Sequence, residues 1–104
     1  MKYKNEWLTP EVLQKTLYFQ SDNGYSMMVM ENRRQEVLDI PLVKIELMLP
    51  PGHFCRVHRN YLVNMNAISE FRYYRGQFFA YIHGCRIPVS RRKKKVIFNG
   101  LDVL

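Results

Sequence analysis

The chain of 104 residues is long enough for one hydrophobic core and too short for two ordinary domains, and at 47% apolar it is not disordered by composition. No apolar run approaches a membrane span, and Met1-Lys2-Tyr3-Lys4-Asn5-Glu6 lacks an apolar signal region; the expectation is a cytoplasmic protein whose two cysteines, Cys55 and Cys85, stay reduced. Of 16 Lys and Arg and 9 Asp and Glu, ten basic residues and only Glu70 fall between Phe54 and Lys95, leaving six basic and eight acidic elsewhere, a segregation that favours an anionic partner such as nucleic acid or an anionic membrane surface.

Residues 1–12 read as a poorly specified lead, with Trp7 and Leu8 packing on the domain and Thr9-Pro10 marking a turn, ahead of a single domain over 13–104. Leu17-Tyr18-Phe19 and Tyr25 to Met30 flank Asp22-Asn23-Gly24, residues that tolerate positive φ, and predict a hairpin. Asn32-Arg33-Arg34 turns the chain into Gln35 to Leu38, a third strand. Asp39 and Pro41 look like a helix start, Leu42, Ile45, Met48 and Leu49 recur at helical spacing, and Pro50-Pro51-Gly52 stops it. A second hairpin, Ile68 to Tyr73 and Gln77 to Ile82 around Arg75-Gly76, places Phe71, Phe78 and Phe79 in the core. After the short strand Arg86-Ile87-Pro88, Ser90 caps a closing helix over Arg91 to Phe98 that Asn99-Gly100 ends. The fold class is mostly β, short antiparallel strands with two short helical segments.

The stretch Phe54-Cys55-Arg56-Val57-His58-Arg59-Asn60-Tyr61-Leu62-Val63-Asn64 stands apart. It alternates as a half-buried strand, presents His58-Arg59-Asn60 as a polar tip, and returns to the core through Tyr61-Leu62-Val63, so the tip is held at both ends. With Ile87-Pro88-Val89-Ser90-Arg91-Arg92 downstream, it resembles the two signature blocks of the LytTR DNA-binding domain of bacterial response regulators. The resemblance runs from about Leu17 to Phe98, and Asn60 stands where that family commonly has Ser. It implies an elongated stack of small antiparallel β-sheets that contacts double-stranded DNA through loops, with two domains on imperfect direct repeats in successive major grooves. It also implies a transcriptional regulator, whose receiver domain or sensor protein would lie outside this chain.

Arg59 and Asn60 suit base reading, because Arg can bind guanine O6 and N7 bidentately and Asn can bind adenine N6 and N7. The alternatives are an ion pair of Arg59 with Glu70 and a turn bond from Asn60 to its own backbone. The resemblance assigns base contacts to Arg59, to Arg92 and to a residue near the first hairpin tip, Tyr25 or Ser26. Expected phosphate contacts are Asn23, His58, Arg91, Lys93 and Lys94; the run Arg91 to Lys95 opposes the macrodipole at a helix start, and a bound anion would reverse that sign. His58 reads as a structural imidazole that bonds a carbonyl or a phosphate.

No paired carboxylates, phosphate-cradling glycine loop or activated serine suggest an enzyme, and no cofactor is expected. His53, Cys55, His58, His83 and Cys85 offer zinc donors, but Cys55 and His58 point to opposite faces of a strand and no Cys-x-x-Cys knuckle is present. The rival to DNA binding is a basic module that meets acidic protein or lipid.

Overall fold

The structure, a computed structural model, describes residues 6–101, the last three by their backbone alone. In chain order it runs α1 (Pro10–Gln14), β1 (Thr16–Asp22), β2 (Tyr25–Met30), β3 (Gln35–Leu38), α2 (Leu42–Met48), β4 (Phe54–His58) and β5 (Tyr61–Asn64). A 3₁₀ turn (Met65–Ala67) then leads to β6 (Ile68–Tyr74), β7 (Gln77–Ile82), β8 (Cys85–Val89) and α3 (Arg91–Leu101). The strands form two antiparallel sheets, one in the order β3-β2-β1-β5-β4 and one in the order β6-β7-β8, in a body of 47 × 25 × 24 Å. This is the mostly β, elongated, stacked-sheet architecture expected.

The five-stranded sheet is buried on both faces. That is why its central strand β1 carries a continuous apolar run where a one-sided strand would alternate. One face, with Val29, Val57 and Val63, packs on Ala80, Ile82, Ile87 and Val89 of the small sheet and on Ile97 of α3. The other face, with Phe19, Met28 and Leu62, packs on Leu42 and Ile45 of α2 and on Trp7. Each fully buried side chain such as Phe19 or Ile45 contributes about 1.5–3 kcal/mol. A register shift between Thr16 and Tyr18 lets the neighbours Leu17 and Tyr18 enter the same core before Phe19 enters the other.

Four local expectations are corrected. Three α-helices form among the described residues where one or two were expected, because Thr9-Pro10 is a helix start: the Thr9 hydroxyl accepts from the Val12 amide at 3.2 Å and Pro10 occupies the first turn. Asp39 caps nothing; α2 starts after Pro41 with no side-chain cap. Helix α3 runs through Asn99 and Gly100 to Leu101, since a helical glycine costs only about 1 kcal/mol and Ile97 anchors the helix in the core. Phe78 and Phe79 are buried, but Phe71 is only half-buried, stacked on Phe78 at 5.5 Å.

Candidate nucleic-acid interface

The polar tip of the signature stretch is the two-residue link Arg59-Asn60 between β4 and β5. Near it a bulge in β4, the edge strand of its sheet, pairs Arg56 with Leu62 and His58 with Tyr61, which leaves Val57 as the extra residue. Val57 points its side chain into the core and its carbonyl accepts the Ser90 amide at 2.8 Å.

Arg56 holds the turn from beneath. Its guanidinium donates from Nε to the His58 carbonyl (3.1 Å), from one terminal nitrogen to the Arg59 carbonyl (2.5 Å), and from the other to Glu46 Oε1 (2.8 Å). The Asn60 amide donates to His58 Nδ1 at 3.1 Å, so that nitrogen is unprotonated and the neutral ring carries its proton on Nε2. Burial first, and then the nearby charges of Arg59 and Arg56, push the imidazole below its ordinary value of 6.5.

Asn60 is tied to the first hairpin. Ser21 donates its amide to the Asn60 carbonyl at 3.0 Å and its hydroxyl to Asn60 Oδ1 at 2.8 Å. Asn60 therefore makes a cross-strand bond where a bond to its own backbone was the alternative, and its Nδ2 stays free among the described residues. Arg59 is exposed, and its guanidinium has no hydrogen-bond or ion-pair partner among the described residues; Glu70 pairs instead with Arg72 at 3.2 Å. In the hairpin, Asn23 (φ 51) and Gly24 (φ 88) form the turn and Tyr25 is 49% exposed. Ser26 points the other way: it is fully buried and donates its hydroxyl to the Ile40 carbonyl at 2.7 Å, which takes it off the exposed face.

The third element is the start of α3. The Ser90 hydroxyl accepts from the Lys93 amide at 3.2 Å, as an N-cap, and the Ser90 carbonyl accepts from the Lys94 amide at 2.8 Å. Arg91 and Arg92 are exposed. Burial raises the Cys55 thiol; the Lys93 charge lowers it in part and Glu46 adds to the rise. Lys94 sets its ammonium 4.3 Å from the centroid of the Tyr73 ring and 5.5 Å from that of Phe78, so it is a stacked cation before it is a phosphate ligand.

Sequence reasoning passed over three residues of this site. Arg56 was read as charge and as a member of the alternating strand on the side of His58, but its bonds to the turn carbonyls were not anticipated. Ser21 had no local signal. Asn64, buried, donates its side-chain amide to the Thr16 carbonyl and caps the following 3₁₀ turn, each at 3.0 Å, so the last residue of the signature stretch is structural. Among the described residues no three His, Cys, Asp or Glu side chains converge, so the five zinc donors are not brought together.

A mostly β body that carries an exposed arginine turn, a hairpin and a basic helix start is suited to an anionic partner such as nucleic acid. The model of the LytTR family, described as the LytTr DNA-binding domain, matches residues 10–102, and the chain belongs to that family of DNA-binding domains, which is not a family of enzymes. Its fold is similar to a solved LytTr DNA-binding domain from Bacillus cereus, with a TM-score of 0.75 at 24% identity over 86% of this chain and 84% of that one. No curated protein matches the chain. No helix among the described residues is long and apolar enough to cross a membrane.

Proposed function

We propose that this DNA-binding regulator domain reads base sequence in duplex DNA through its loops. The observation that supports the reading is the convergence of three elements on the signature stretch, through Ser21 to Asn60 in the turn and Ser90 to Val57 at its base, with the Arg59 guanidinium unpartnered among the described residues. Arg59 and Arg92 would read guanine edges in the major groove, Asn60 would donate from its free Nδ2, and Tyr25 would supply the hairpin contact, since Ser26 is committed to Ile40. Asn23, His58 through Nε2–H, Arg91 and Lys93 would position the duplex by its phosphates, with Lys94 a weaker contributor because it rests on Tyr73. Two such domains would occupy an imperfect direct repeat, and a receiver domain or sensor protein would supply the signal.

Site selection from random duplex DNA, followed by binding to the selected site and its single-base variants across a salt series, tests this. Arg59→Ala and Arg92→Ala should each lose about 1–3 kcal/mol and relax preference at one base position. If both weaken every sequence alike, base reading by these arginines is wrong. If no sequence is preferred at fixed salt, the segment is only a basic patch for acidic protein or lipid.

A further inference from the structure

The loops of the interface are linked in a row, and the row does not end at α3. Ser21 to Asn60 joins the first hairpin to the signature turn, Val57 to Ser90 joins the turn to the start of α3, and Lys94 over Tyr73 joins α3 to the tip of the β6–β7 hairpin. The sheet register agrees: Phe78 pairs with both Tyr73 and Val89, so the tip Tyr74-Arg75-Gly76-Gln77 lies at the same end of its sheet as Ser90 and Arg91.

The tip is a tight turn with both central residues at positive φ, as is His83-Gly84 at the other end of β7. Arg75 sits at φ 52 and Gly76 at φ 81, nearly the values of Asn23 (51) and Gly24 (88) in the first hairpin. Asn-Gly is the pair such a two-residue turn favours, and a long side chain at positive φ is uncommon. An arginine held there against backbone preference points to a use for its charge. Its guanidinium lies 5.4 Å from the centroid of the exposed Tyr74 ring, which also carries Arg86 at 4.9 Å; two cations over one ring leave their N–H edges for an anion.

We propose that this tip is a fourth DNA-contacting element, in which Arg75, held on Tyr74, grips a backbone phosphate beyond the bases that the other loops reach. The inference rests on the DNA-binding reading.

Arg75→Asn tests it, since Asn-Gly suits the turn and the variant should fold with an equal or higher thermal transition. On a duplex that extends well past the read bases, R75N should bind about threefold to tenfold more weakly than wild type, with a salt slope smaller by about one. On a duplex trimmed to the read bases, the two proteins should bind alike. Equal affinity and slope on the long duplex would overturn the inference while the base-reading proposal stands. A wild type that binds without base preference, with R75N still weaker on the long duplex, would sink base reading and keep the tip. A wild type that binds no duplex would end both.

Discussion

Ser90 and Val57 join the two sheets at the interface: the Ser90 amide, just past β8, donates to the Val57 carbonyl at the β4 bulge at 2.8 Å. The bond occupies a carbonyl on a sheet edge, which would otherwise invite pairing with another chain, and it ties the start of α3 to the strand that leads into Arg59. The two signature blocks, some thirty residues apart in sequence, are thus one structural unit.

Ser90→Ala removes the hydroxyl cap of α3 and should cost about 0.5–2 kcal/mol in chemical denaturation. Ser90→Asp restores a capping oxygen but places a negative charge among Arg91, Arg92 and Lys93. It should recover the stability and still bind DNA more weakly than wild type. Full recovery of both would mean that the α3 start does not face phosphate.

Arg56 touches the turn only from the protein side, so its loss should act through position. Arg56→Gln should lower stability by about 1–2 kcal/mol, since charge-assisted bonds to two carbonyls disappear and the site is partly exposed. DNA affinity should fall with the salt slope unchanged, which separates it from a phosphate contact. Arg56→Lys should recover little, because an ammonium lacks the planar fork that reaches both carbonyls and Glu46.

His58 makes stability depend on pH. Its folded value lies below the unfolded 6.5, so the unfolded chain binds more protons in that window. Its contribution is complete above about 6.5 and is lost as pH falls through the folded value. Thermal melts of wild type and His58→Gln between about pH 5 and 7.5 should show a stability difference that shrinks on acidification. A difference independent of pH would mean that the imidazole titrates normally.

The two thiols should react at different rates. Cys85 is exposed, while Cys55 is half-buried and its thiol is held protonated by burial. Iodoacetamide at neutral pH, followed by peptide mass mapping, should modify Cys85 well before Cys55. The reverse order would place Cys55 in a more open environment than β4 provides.

Seven of the eight strands were legible because alternation and the Asn-Gly and Arg-Gly turn pairs are short-range signals, read without knowing what lies across the sheet, whereas Tyr61-Leu62-Val63 gave only an apolar return to the core that the pairing with β1 and β4 makes a strand. Helix α1 was not, since five residues give too little periodicity and only Thr9-Pro10 marks it. The stop expected at Asn99-Gly100 weighed local preference alone, and packing of α3 outweighed it. For the site, exposed donors such as Arg59 could be singled out by residue type. Their supports could not: Ser21 and Asn60 are 39 residues apart and meet only through the pairing of β1 with β5. Tyr25 and Ser26 were a tie by sequence because period two says that they face opposite ways without saying which faces out.

Tyr18 and Phe19 are neighbours in the chain and belong to different cores, one against the small sheet and the other against α2. Neither half of the molecule can therefore melt while the other survives, since both would lose β1. Unfolding should be a single cooperative transition in spite of the two cores. The loops of the proposed DNA face then take their persistence from the whole body: amide exchange at β4 and β5 should slow or quicken together with exchange in the core over α2.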